Sequence, residues 1–171
     1  AALSVGALVR LGKQAIDTAD EMGKAAERVG MSVEQFSALS FAAQQSEVSM
    51  QELQLSMRNF SEFLVRAGRG SQDLTSALLA EADALAQIAD PAERMTQFAD
   101  RFGRQSLALI PFLNQGSAAI RAQMGEAVRL GVVVSGPVAR QADLFNDTLM
   151  ELGALARGAF LALAEQLLPT L

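Results

Sequence analysis

The sequence contains no cysteine and no histidine. Thiol catalysis, disulfides, zinc sites and imidazole acid–base chemistry are therefore excluded. Tryptophan and tyrosine are also absent, which leaves nine phenylalanines as the whole aromatic complement. Only four prolines occur, so long helices can run with few obligatory breaks. Long runs of like charge are missing as well. The formal net charge is −5, with acidic and basic residues interspersed, and no basic patch points to sequence-specific nucleic-acid binding.

Half of the 171 residues are hydrophobic, enough for one domain with a real core. Alanine is the commonest residue, at 31 positions. It is the best helix former and lets helices approach closely, but it buries little area per residue. A chain of this kind is expected to complete its core against copies of itself or a partner. Ala1 to Leu11 is apolar, but it is short and Arg10 and Lys13 end it rather than precede it, so it does not read as a secretory signal. A chain that starts without Met and stops just after Pro169 reads as a segment of a longer polypeptide.

Helical periodicity runs throughout. Ala1 to Val29 is expected to be one helix, with Leu8, Leu11, Ala15, Met22, Ala25 and Val29 near heptad spacing. Gly30 stops it, since glycine enters the left-handed conformation without a Cβ penalty. Ser32 and Gln35 then form a capping box, and the same device recurs at Ser49 and Glu52. Between them Val33 to Gln45 makes a second helix with Phe36, Leu39, Phe41 and Ala43 inward. Met50 to Ala67 makes a third, with Leu53, Met57, Phe60 and Leu64 on one face. Gly68-Arg69-Gly70-Ser71 breaks the pattern and is the candidate hinge.

Gln72 to Ala89 reads as helix. Asp90 and Pro91 then supply an N-cap and a first-turn proline for a helix with Met95, Phe98, Ala99 and Phe102 inward, ended by Gly103. Pro111 splits Ser106 to Gln115 into a short, kinked and buried helix or two turns. Ala118 to Leu130 is helical, Val132 to Val134 an extended connector, and Val138 to Leu168 the longest helix. Along that helix Ala142, Phe145, Leu149, Leu152, Ala156, Ala159 and Leu163 keep heptad spacing. Leu152 to Leu168 falls short of a membrane span and contains Arg157 and Glu165. A buried helix is the expectation there.

No catalytic, cofactor-binding or metal-binding residue is assigned. The Gly6 to Gln14 run resembles a phosphate loop, but its glycines are one residue too far apart and Gln14 replaces the metal-binding hydroxyl. Asp17 and Glu21 share a helix face with Asp20 nearby, but a hard cation needs more oxygens. A solvated acidic face, paired to Lys13 or Lys24, is the stronger reading. Asn59 and Asn146 begin glycosylation triplets inside helices, and chance accounts for both. The seven methionines sit at core spacings.

The run ADEMGKAAERVGMSVEQFSALSFAAQQS, followed by VSMQELQ, resembles phage-tail tape measure proteins. The likeness continues through Phe102-Gly103-Arg104, Leu113-Asn114-Gln115-Gly116 and Phe145-Asn146-Asp147, and so covers most of the chain. One departure is Glu47, where a glycine is common, and a differently built second turn is expected there. These are packing and capping motifs. They mark a family without carrying a reaction.

The resemblance implies a tail-lumen protein that sets tail length during assembly and leaves ahead of the genome during ejection. Its implied partners are copies of itself in a trimer or other ring-matched oligomer, tube and tail-tip or baseplate proteins, and host membrane. Glycines and Pro111 interrupt this stretch too often for a straight ruler, so a folded plug or docking part near the tip is expected. The expected fold is all-α, a bundle or elongated helical assembly with short capped turns and a long C-terminal helix. Two other classes remain open: a membrane-active helical domain of a secreted effector or pore former, and a cytoplasmic helical adaptor or scaffold.

Overall fold

A computed structural model describes residues 5–167. The described residues are all-α and contain no strand. In chain order the helices are α1 (Val5–Val29), α2 (Val33–Gln44), α3 (Met50–Arg66), α4 (Leu74–Ala86) and α5 (Pro91–Phe102). A 3-10 helix (Arg104–Leu109), α6 (Ile110–Leu113), α7 (Gly116–Leu130) and α8 (Gly136–Leu167) follow. By contacts the chain forms two compact units. One is Met22–Gly136, and the other combines α1 up to Glu21 with α8 from Pro137. Neither boundary falls at the Gly68 to Ser71 segment.

The Met22–Gly136 unit owes its helix boundaries to local chemistry. Ser32 and Ser49 each accept from the backbone N–H three residues on, and the Gln35 and Glu52 side chains return the interaction. Asp73 caps α4 by accepting from Ser76 N at 2.8 Å, and Asp90 caps α5 by accepting from Ala92 N at 2.9 Å. The helix ends are equally regular. After α1, Gly30 N donates to Glu27 O at 3.1 Å and Met31 N to Ala26 O at 3.0 Å, with Gly30 at φ +74°. This is a Schellman closure.

The turn after α2 is built the same way, contrary to the expectation of a different one. Glu47 takes φ +62°, its N–H donates to Gln44 O at 3.0 Å, and Val48 N donates to Ala43 O at 3.1 Å. The hydrophobic residue that follows, Met31 or Val48, is buried in both cases and seals the turn against the core. That seal and the two backbone bonds hold Glu47 in a conformation that costs an L-residue about 1 kcal/mol.

The segment Gly68 to Ser71 also closes with hydrogen bonds. Gly68 N donates to Val65 O and Arg69 N to Leu64 O. A Cβ on Gly70 would lie 2.9 Å from Val65 Cγ2, so the turn folds back tightly on the last turn of α3.

Within this unit α2 packs chiefly on α7, α3 on α5, and α4 on α7. The expected faces of α3 are seen: Leu53, Met57, Phe60 and Leu64 are all buried. α2 is buried more widely than its predicted face, through Phe36, Ser37, Ala38, Leu39, Ser40, Ala42 and Ala43, while Phe41 is only half-buried. Helix-to-helix closeness comes from alanine, since Ala26, Ala42, Ala43 and Ala127 are fully enclosed. A phenylalanine stack anchors the other side. The Phe60 and Phe102 rings lie 4.7 Å apart, and Phe98 and Phe102 5.1 Å, in the range where offset aromatic pairs attract.

Two further predicted faces need correction. Met95 is 45% exposed, because α5 turns only Phe98 and Phe102 fully inward. In the Pro111 segment Leu109, Phe112 and Leu113 are buried but Leu107 is exposed, since the 3-10 turns throw it to the outer side. In the second unit, Asn146 Nδ2 donates to Asp20 Oδ2 at 2.9 Å, and Ala19, Ala139 and Ala142 are buried.

Candidate interaction surface

The residues singled out for chemistry take structural places. The Gly6 to Gln14 run is continuous helix in α1, with Gly6 in its first turn and Gly12 inside it, and not the strand-to-helix loop that a phosphate site needs. Lys13 Nζ sits 2.9 Å from Asp17 Oδ2 across one helical turn. No group of three or more acidic, cysteine or histidine side chains among the described residues could hold a metal ion. Asn59 Nδ2 donates to Phe102 O at 2.8 Å and Asn146 to Asp20, so both amides are occupied. Met22, Met31 and Met57 are core, whereas Met95 and Met150 are exposed.

What sequence reasoning missed is a set of carboxylates that reach across the fold to cap other helices. Asp83 of α4 accepts from Ser117 N at 2.9 Å, which satisfies a free amide in the first turn of α7. That bond, with Arg121 nearby, holds the Asp83 carboxyl below its ordinary pKa. Glu34 accepts from Gly136 N at 2.7 Å at the start of α8. Ser37 Oγ accepts from Val134 N at 2.9 Å, so the Val132 to Val134 connector lies tied along α2. Gln35 joins the caps of α2 and α4 by donating to Asp73 Oδ1 at 3.0 Å. The Asp73 carboxyl is also held low, chiefly by the Ser76 N–H. Glu81 and Arg101 form an ion pair between α4 and α5 at 2.7 Å, with only 7% and 19% of their side chains exposed.

None of these groups places a nucleophile beside a base. Two open features share Met95. In the Met22–Gly136 unit a cleft of about 150 Å³ is lined by Leu85, Pro91, Met95, Phe98, Ile110 and Leu113, with the Arg94 stem at its edge. Arg94 itself is committed, donating from Nε and Nη2 to Ile88 O at 3.0 and 2.6 Å. That cleft can seat one apolar side chain. A larger, more open groove, lined by Met95, Thr96, Ala99, Asp100, Arg104 and Leu107, is mixed in polarity.

The second unit exposes far more. On α8, Leu144, Phe145, Leu149, Met150, Leu152 and Leu155 are between 41% and 70% exposed. The burial expected for Leu152 to Leu168 fails from Leu152 through Gly158, where every residue is exposed; beyond Gly158 the side chains, those of Ala159 and Leu163 included, lie outside the described residues. No helix among the described residues is long and apolar enough to cross a membrane. Comparison with known proteins gives no match to a family model, to a curated protein or to a solved structure.

Proposed function

We propose that the chain is a non-catalytic helical segment of a phage-tail tape measure protein, a folded plug or docking part in the tail lumen near the tip. The observation that carries the reading is the paired helix punctuation of residues 30–53. The Gly30-Met31-Ser32 and Glu47-Val48-Ser49 turns, which carry the family resemblance, have one shared geometry of Schellman closure, buried hydrophobic residue and capping box. The all-helical fold supports a structural role, and the exposed apolar side chains of α8 offer a contact surface. In this role the chain acts by contact, self-associating and meeting tube, tip or baseplate protein during assembly, before leaving ahead of the genome.

The test is quantitative mass spectrometry of tail-bearing particles purified from the source culture. The reading requires peptides of this chain in constant ratio to the tube protein across independent preparations. Peptides found only in the soluble cell fraction would contradict it. A stable monomer binding peptide at the Met95 cleft would then support the adaptor reading.

A further inference from the structure

Arg94 carries a charge that the fold does not neutralise. It is half-buried and lines the apolar cleft beside Met95 and Phe98. Three other arginines of the same unit meet a carboxylate: Arg58 meets Glu62, Arg101 meets Glu81 and Arg129 meets Glu126. Arg94 meets only the Ile88 carbonyl, through Nε and Nη2, and no carboxylate among the described residues pairs with it. No acidic residue is among those lining the cleft.

A guanidinium holds five N–H donors in a fixed fork. The Ile88 oxygen takes one edge of that fork, Nε with one hydrogen of Nη2. The opposite edge, Nη1 with the second hydrogen of Nη2, keeps its donors, and two parallel donors are what a carboxylate accepts. The Ile88 anchor also fixes the guanidinium in advance, so little side-chain ordering is left to oppose binding. Asn114 lines the same cleft. It is exposed, and its side-chain amide bonds to no described residue, so it offers a further N–H donor.

The apolar walls set the size of the occupant. A volume of about 150 Å³, walled by aliphatic and aromatic side chains, holds one benzene-sized body. Apolar walls with a few convergent polar groups are the general form of a small-molecule site. We propose that this cleft binds a small monocarboxylate whose apolar part is a ring or chain of about six carbons, with Arg94 and Asn114 at the carboxylate. It holds or fails separately from the tail reading, because the experiment uses only the purified chain.

Phenylpropionate is the probe and its uncharged amide the control. In a chain labelled at Met and Ile methyl groups, the acid is expected to shift the NMR signals of Met95 and Ile110, which line the cleft. Met57 and Ile120 of the core should stay in place. The expected dissociation constant is about 1 mM, from the binding efficiency of small ligands. The amide should bind about tenfold more weakly, for want of a charge-assisted pair. Arg94→Met should bring acid and amide to one affinity. That change also frees the Ile88 carbonyl, so Met95→Glu serves as a second variant, at an exposed position. A like charge there should weaken the acid by about tenfold and the amide far less. Arg104→Met, in the neighbouring groove, should change neither. Equal affinity of acid and amide for the wild-type chain, or no shift at about 20 mM acid, overturns the proposal. So does tighter binding by a peptide with a free carboxyl-terminal leucine, which assigns the cleft to a partner chain.

Discussion

Asp83 on α4 holds the first turn of α7 through the backbone N–H of Ser117, 2.9 Å from its Oδ1. The amide stabilises the charged carboxylate and so lowers its pKa in the folded chain. A group whose folded pKa is depressed contributes stability above its unfolded pKa and loses it as pH falls through the folded value. Glu52, Asp73 and Glu126 are lowered too, each by hydrogen bonds to its own neighbourhood. The chain is therefore expected to hold its melting temperature near neutral pH and lose it below about pH 4, the ordinary carboxylate range. Asp83→Asn should melt lower than wild type at pH 7, and the gap should close on acidification. Thermal melts across pH 2.5 to 7 check both statements.

Glu47 and Gly30 occupy equivalent turns, but only one of them is glycine. Nothing lies within 4 Å of a Cβ placed on Gly30, so Gly30→Ala carries the backbone penalty alone, about 1 kcal/mol. Glu47→Gly removes the same penalty and should stabilise by about 1 kcal/mol, or roughly 3 °C. Urea titration of the two variants measures the opposite shifts. Equal signs would contradict the shared geometry.

Gly103 carries two constraints at once. It sits at φ +84°, and an added Cβ would lie 2.7 Å from Asn59 Nδ2. Gly103→Ala is expected to cost about 2 kcal/mol or more. In an Asn59→Ala background the steric part disappears, so the added cost of Gly103→Ala should shrink. A double-mutant cycle reads that coupling.

The Glu81–Arg101 pair is nearly enclosed. Removing Glu81 takes the ion-pair partner from Arg101 and leaves it only Gln97 Oε1, so Glu81→Leu should destabilise by about 3 kcal/mol. Glu81→Leu/Arg101→Leu should cost less than the single change, because no unpaired charge remains. Denaturant midpoints of the three chains decide this.

The parts of the fold legible in the sequence are those fixed by neighbours along the chain. Ser32 with Gln35, Ser49 with Glu52, and Asp90 with Pro91 each declare a helix start within three residues. Leu53, Met57, Phe60 and Leu64 declare a buried face by spacing alone. Asp73 also caps locally, but the predicted helix from Gln72 to Ala89 overruns it at one end and Ala86, the last helical residue, at the other. The contacts that escaped the sequence join distant positions. Glu34 meets Gly136 across 102 residues and Asp83 meets Ser117 across 34, and a carboxylate that caps another helix looks like any surface acid. Met95 escaped for a different reason: periodicity shows which residues share a face, not how deeply that face is buried. The same gap explains α8, whose heptad was legible but whose exposure was not.

The proposed place of this chain is the lumen of a tail. Protease protection on intact particles, before and after triggered release of the genome, tests it most directly. Peptides spanning Gly68 to Ser71 would be followed by mass spectrometry, because that turn links two helices and offers basic residues at Arg66 and Arg69 for cleavage. The account predicts peptides that are present and protected in full particles, then lost or cleaved after release. Peptides cleaved equally in both states, or absent from particles altogether, would contradict it.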